Sequence, residues 1–208
     1  MQMPPLVRLF PLPNVVFFPK TVLPLHIFEP RYREMVSDAL QGDGLIGMTL
    51  LKEGWEQNYN GSPPIHRVGC LGRICKSERM NDGRYNIILY GIAPFEIRDE
   101  TLERSFRHAW VLYPDREESG SLPPPLRSKL ERALTSHGQR LQIPESFHAI
   151  MSRATDEEWV QTLSFLGSFT IVEKQFLLES TNVVQQCRRL LDLICFYSAM
   201  APKKEDHA

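Results

Sequence analysis

Leu9-Phe10-Pro11-Leu12-Pro13-Asn14-Val15-Val16-Phe17-Phe18-Pro19, followed by Leu23-Pro24-Leu25-His26-Ile27-Phe28-Glu29-Pro30-Arg31-Tyr32, is the stretch that sets the architecture. Leu6 to Phe10 leads into it as a strand. Prolines at 11, 13, 19 and 24 then punctuate the chain. Proline has no N–H to give to a sheet ladder, so these segments are expected at edges, strand starts or turns. Pro30 marks the change to helix, because its missing N–H costs nothing at the first helical position. Tyr32, Met35, Val36, Ala39 and Leu40 follow at helical spacing, and Gly42 supplies the stop.

Beyond that helix the strand pattern resumes. Leu45 to Leu51 reads as a buried strand. Val68, Cys70, Gly72 and Ile74 alternate with Gly69, Leu71, Arg73 and Cys75. Asp82-Gly83 is a hairpin turn, and Tyr85 to Tyr90, Pro94 to Ile97 and His108 to Tyr113 are further short strands. Short antiparallel strands with one early helix predict a small, partly closed barrel. A polar seam, Arg116 to Ser121, and then Pro123-Pro124-Pro125 end this regime.

After the seam the pattern is helical. Leu126, Leu130 and Leu134 share one face. Thr155 with Glu158 and Thr170 with Glu173 have capping-box spacing, in which each side chain satisfies the other residue's orphan N–H. Asn182 can cap a last helix whose stripe is Val184, Cys187, Leu191 and Ile194. The expectation is an α+β protein: a barrel over residues 1–118, a helical bundle over 119–200, and a loose tail over 201–208.

Composition narrows the function classes. Of 208 residues, 42% are hydrophobic and 24% charged, which is a globular balance. Lys plus Arg number 24 against 25 Asp plus Glu, so the net charge of −1 offers no basic field for nucleic acid or anionic lipid. No positive segment leads into a long apolar run at the N-terminus, and no run reaches the ~18 residues of a membrane helix. Cysteines 70, 75, 187 and 195 contain no C-x-x-C pair, which favours reduced thiols and a cytoplasmic setting. Cys187 and Cys195 are read as core residues on one helical stripe.

A search for catalytic machinery is negative. No Gly-Lys pair exists to end a phosphate-binding loop. Gly42-Asp43-Gly44-Leu45-Ile46-Gly47 spells G-x-G-x-x-G, but after a helix and before a strand, the reverse of a dinucleotide site. The six histidines show neither H-E-x-x-H nor a Cys-Cys-His-His spacing. G-x-S-x-G and Ser-x-x-Lys do not occur. Glu117-Glu118 and Glu157-Glu158 are adjacent and so point apart, and Arg188-Arg189 reads as a solubilising helix face. No catalytic, cofactor-binding or metal-ligating residue is assigned.

The opening stretch, with its P-L-P-N, F-P and P-L-x-I-F-E-P-R-Y spacing, resembles the N-terminal domain of Lon proteases. Ile46-Gly47-Met48, Val68-Gly69-x-Leu71-Gly72-x-Ile74, Asp82 to Ile87, and Glu173-Lys174-Gln175 with Leu177-Leu178-Glu179 extend the resemblance over nearly the whole chain. It implies a PUA-like pseudobarrel followed by helices, and a role in recognising unfolded or tagged polypeptides. The family's ATPase and Ser-Lys protease modules are not found in these residues. The implied function is a non-catalytic polypeptide-binding module working with unfolded clients or with a separate protease or chaperone. RNA binding, by fold analogy, and small-molecule binding are the alternatives.

The resemblance makes most matching residues structural. Pro24, Pro30 and Gly72 shape the backbone, Phe28 and Tyr32 pack the early helix on the barrel, and Glu29 and Arg31 hold one another, a helix terminus or a loop. His26 reads either as a hydrogen-bonded buried histidine or as part of a binding surface. Trp55, Tyr59, Pro63 and Pro64 lie in a loop without apolar period, where aromatics offer rigid contact area. The alternative for Trp55 is that it folds back on the barrel.

Overall fold

A computed structural model describes residues 3–58, 61–101, 105–114, 120–137 and 154–199. The strands are β1 (Leu6–Leu12), β2 (Val22–Ile27), β3 (Leu45–Leu50), β4 (Val68–Arg79), β5 (Tyr85–Thr101) and β6 (Arg107–Leu112). β1 pairs with β3 and β6, β3 with β4, β4 with β5, and β5 with β6. Five strands therefore close on themselves. β2 stands outside the ring as an edge strand on β5.

Two sequence expectations change. The strands are not all antiparallel, because β1 runs parallel to β3. A parallel neighbour needs a crossover, and β2 with helix α1 (Pro30–Gln41) supplies it. Tyr85–Tyr90 and Pro94–Ile97 are not two strands but halves of β5, which serves two neighbourhoods. Its first half pairs β2 and its last pairs β6. Pro94 falls between them, where β4 is the only neighbour among the described strands and a missing N–H is tolerated. The register shift between Leu71 and Gly72 leaves Ile92 as the extra residue and bends the long hairpin out of the barrel. At its tip Gly83 takes φ 81, as the Asp82-Gly83 turn requires.

Strand alternation feeds two cores. Val7, Leu9, Leu45, Leu71, Phe95, Ile97, Ala109 and Val111 point into the barrel. Phe10, Ile46, Met48, Leu50, Cys70 and Leu89 point out, into a larger core shared with the helices. β3 is buried along its whole length for this reason. The Phe95 ring fills the barrel, and glycines make room for it. A Cβ on Gly47 would lie 2.9 Å from that ring and one on Gly69 2.6 Å.

α1 buries Tyr32, Met35, Val36 and Ala39, whereas Leu40 turns to solvent at the stripe's margin. The G-x-G-x-x-G letters are a helix stop: Gly42 caps α1, and Gly44 at φ 71 returns its N–H to the Ala39 carbonyl. Arg8 locks this corner, bonded to Asp38 at 2.5 Å and Asp43 at 2.8 Å.

The later helices are α2 (Pro124–His137), α3 (Asp156–Leu166), α4 (Ile171–Leu178) and α5 (Val183–Ala199). Both expected capping boxes form, at the starts of α3 and α4, and Asn182 caps α5. Gln161 and Gln186 exchange two hydrogen bonds in the buried α3–α5 interface, and Gln186 also donates to Ser164. Leu130, Leu134, Cys187, Leu190 and Ile194 join the outer core. Cys195, expected beside Cys187 in the core, is exposed, because the buried face of α5 is centred on Val183, Cys187, Leu190 and Ile194. α4 reaches the barrel directly: Gln175 donates to the Val68 carbonyl at 3.0 Å.

Candidate polypeptide-binding face

Where the β4–β5 hairpin leaves the ring and takes β2 on its side, three strands present one face to solvent. Register fixes what that face carries. His26, Asn86 and Glu78 form one cross-strand row, and Pro24, Ile88 and Lys76 form the next. Val22 and Tyr90 continue it, 53% and 36% exposed. The opposite phase, Tyr85, Ile87 and Leu89, is buried. The face is thus apolar along its middle, with Pro24, Ile88, Val22 and Tyr90, and polar along its rim. A shallow cavity of about 390 Å³ lies over Pro24, Leu25, His26, Lys76, Glu78, Asn86, Ile87 and Ile88.

His26 is hydrogen-bonded, as one sequence reading had it, but exposed rather than buried. Its Nδ1 lies 2.7 Å from Asn86 Oδ1, and its Nε2 lies 3.3 Å from Arg84 Nη1. A guanidinium only donates, so Nε2 accepts and Nδ1 carries the proton that Asn86 takes. Arg84 is itself held by Asp82 at 2.6 Å. The Arg84 side chain, and then its backbone N–H, hold the Asp82 carboxyl below the usual carboxylate range. The chain Asp82–Arg84–His26–Asn86 thereby fixes the imidazole on the rim. Phe28, expected to pack α1 on the barrel, is instead 61% exposed and stacks beside His26 at 6.3 Å. Tyr32 takes the packing role, buried 4.4 Å from the Phe10 ring. Glu29 and Arg31 do pair, at 3.0 Å.

The loop candidates are elsewhere. Trp55 opens a short 3-10 turn, half-buried against the barrel-interior core. Pro63 is buried, and its carbonyl accepts from Arg107 at 2.6 Å. Pro64 is exposed, with its carbonyl taken by the Lys52 N–H at 2.8 Å. Tyr59 lies outside the described residues. Pro63 lines a different and smaller depression, about 50 Å³, with Arg31, Tyr32, Ser105 and Arg107. His26 and the loop prolines therefore do not line one depression.

Sequence reading missed Pro24, Ile88, Tyr90, Lys76 and Asn86 as surface. A signal was present: Ile88 and Tyr90 are large apolar residues in the solvent-facing phase of an alternating strand. Among the described residues, no group of three or more His, Cys, Asp or Glu is placed to hold a metal ion. No helix there is long and apolar enough to cross a membrane.

Comparison with known proteins agrees with this architecture. The Lon protease of Cytophaga hutchinsonii is 25% identical over 201 residues, 93% of this chain and 24% of that protein. Lon protease 2 of Myxococcus xanthus is 28% identical over 110 residues, 53% of this chain and 13% of its own length. The chain thus spans a quarter or less of these relatives. The crystal structure of a Lon N-terminal domain protein from Xanthomonas campestris superposes with a TM-score of 0.66 at 21% identity, covering 95% of this chain and 99% of that one. The N-terminal domain of a Mycobacterium avium complex Lon protease gives 0.69 at 16% identity, covering 91% and 98%. The sequence profile of the ATP-dependent protease La (LON) substrate-binding domain matches residues 7–195. The chain belongs to the LON substrate-binding domain family.

Proposed function

We propose that this chain is a non-catalytic recognition module that binds unfolded or partner polypeptides on the outer face of β2, β5 and β4, and delivers them to a separate protease or chaperone. The observation that carries the reading is the apolar row Pro24–Ile88, flanked by Val22 and Tyr90, beside an edge strand and under a polar rim. An extended polypeptide can lay apolar side chains on that row while its backbone meets the rim. His26, held by Asn86 and Arg84, is a rim donor or acceptor of fixed orientation. Trp55 and Pro64, with Tyr59, are proposed as a secondary contact on the other loop. The family match supports recognition as the role.

The test uses a fluorescently labelled, reduced and carboxymethylated model protein as a permanently unfolded client. Binding should occur with little salt dependence, because the central contacts are apolar. Ile88→Asp, at a half-exposed position, should weaken it about tenfold or more without changing the urea midpoint. An Ile88→Asp protein that folds normally and binds the client as well as the parent removes this face from consideration.

A further inference from the structure

α2 and α5 contribute Leu130 and Leu134, and Cys187, Leu190 and Ile194, to one core, and a groove runs between the two helices. Its walls are the next stripe on each helix. Leu126, Lys129, Ala133 and Ser136 stand at helical spacing on α2, with Arg132 beside them; Arg188, Leu191, Asp192 and Cys195 stand on α5. The cavity is about 670 Å³, room for one face of a short helix or extended segment. Leu126, Ala133 and Leu191 are half-buried and make an apolar floor, while Lys129, Arg132 and Arg188 are exposed and make a rim.

The charge on that rim is unbalanced. Asp192 is the single carboxylate among the described lining residues. Among the described residues, none of Lys129, Arg132 and Arg188 is in an ion pair. Among the described residues, Arg132 is bonded along its own helix, to the Ser128 carbonyl at 3.3 Å. Several other arginines are paired: Arg8 spans two aspartates, Arg127 bridges to Asp156 and Glu131, and Arg189 packs on Phe176 while donating to its carbonyl. Arg188-Arg189 is therefore not a uniform solubilising pair. Arg189 stabilises the α4–α5 junction, and Arg188 stands at the groove in no ion pair among the described residues.

We propose that the α2–α5 groove is a second docking site, distinct from the β2–β5–β4 face, for an acidic amphipathic peptide segment. Apolar side chains of that segment seat on Leu126, Ala133 and Leu191, and its carboxylates meet Lys129, Arg132 and Arg188. Charge complementarity selects this occupant over a basic or neutral one, since the three unpaired cations repel the first and gain nothing from the second. The floor selects it over a plain polyanion, which would leave the leucines covered by nothing.

The probe is a fluorescein-labelled amphipathic peptide of about 15 residues with Leu and Ala on one face and Glu on the other, read by anisotropy. Its counterpart carries Lys in place of Glu. The acidic peptide should bind at least tenfold more tightly than the Lys peptide, and its affinity should fall about tenfold between about 50 mM and 300 mM salt. Lys129→Glu, Arg132→Glu and Arg188→Glu together should reverse the preference. Should that variant fail to fold, the three alanine substitutions should weaken the acidic peptide about tenfold. Ile88→Asp should leave this binding unchanged, which keeps the two sites' fates separate. Equal affinity for both peptides overturns the proposal. So does an oligonucleotide that binds tighter than the acidic peptide and displaces it. A dimer in sedimentation that Arg188→Glu dissociates gives the groove to a second copy, and acidic-peptide binding that appears only after removal of residues 200–208 gives it to the chain's own tail; either result overturns the proposal.

Discussion

Gly47 and Gly69 both face the Phe95 ring, yet the two positions should respond differently to one methyl group. A Cβ at Gly47 would meet side chains: Val7 Cγ1 at 2.6 Å and the Phe95 ring at 2.9 and 3.0 Å. At Gly69 it would meet Phe95 Cζ at 2.6 Å and also the Met48 carbonyl oxygen at 2.4 Å. That oxygen belongs to the paired strand, since Met48 lies opposite Cys70, and moving it opens the β3–β4 ladder. Gly47→Ala should cost about 1–3 kcal/mol, the usual range for overpacking. Gly69→Ala should cost about 3 kcal/mol or more, because backbone must shift as well. Phe95→Leu removes part of the ring at about 1–2 kcal/mol and opens space at both glycines. In the Phe95→Leu background the Gly47→Ala penalty should fall by about 1 kcal/mol, the remaining Val7 contact keeping relief partial. The Gly69→Ala penalty should fall less, because the Met48 carbonyl has not moved. Urea unfolding of the three single and two double variants, with midpoints and slopes fitted separately, reads these differences. If Gly47→Ala costs the same with Phe95 and with Leu at that position, Phe95 is not what these glycines accommodate, and this account of the barrel interior is wrong.

Three further outcomes follow from the helical half and the thiols. Gln186→Ala strips Gln161 of both amide bonds in a buried site and should destabilise by about 1–3 kcal/mol in the same urea assay, more than an exposed glutamine would. A thiol-specific chromogenic reagent should react promptly with Cys75 and Cys195 and slowly with Cys70 and Cys187, since the latter two are buried and burial pushes the Cys187 thiol up to about 11. The third concerns Glu158, whose carboxyl is held below its ordinary value by the Thr155 N–H and then by the Thr155 hydroxyl. A depressed acid stabilises the fold above its unfolded value and loses that contribution as pH falls through its folded value. Thr155→Ala should therefore cost about 1 kcal/mol at neutral pH and progressively less as pH falls and the carboxyl protonates, read as the difference between wild-type and variant urea midpoints.

Local chemistry was the legible part of this fold. Pro30, Gly42, Asp82-Gly83 and the two Thr–Glu boxes each act within four residues, and each lies where its side chain or missing N–H predicts. Closure of the ring was not legible, because it depends on which distant strands pair. Nothing in Leu9 or Gly47 alone announces a parallel partner, and β5 reads as two strands because its bulge at Ile92 breaks the alternation. Cys195 was misplaced by a phase error: a stripe chosen through Val184 and Leu191 is turned from the true one through Val183 and Leu190, and that turn moves Cys195 from core to surface.

The candidate sites show why function was harder to read than fold. His26 could be singled out from sequence because histidine is rarely neutral to its surroundings, but its neighbours on the face come from three strands. Asn86 and Glu78 share its row only through register, and Arg84 reaches it from the turn that Gly83 makes possible. The α2–α5 groove is hidden for a related reason. Lys129, Arg132 and Arg188 look like ordinary solvated charge until the helices are packed, when among the described lining residues Asp192 stands as the one carboxylate facing three cations. Both surfaces lie beside a packed core: the outer face of β2, β5 and β4, and the groove between α2 and α5. Each leaves apolar side chains partly exposed at the margin of a core, Ile88 and Tyr90 in one case and Leu126 and Leu191 in the other. The faces differ in rim. His26, Asn86, Lys76 and Glu78 mix polar and both signs of charge, which suits varied polypeptides, whereas the helical rim is cationic and selects by charge. Salt should therefore separate the two binding modes in one protein, leaving the first nearly unchanged and weakening the second.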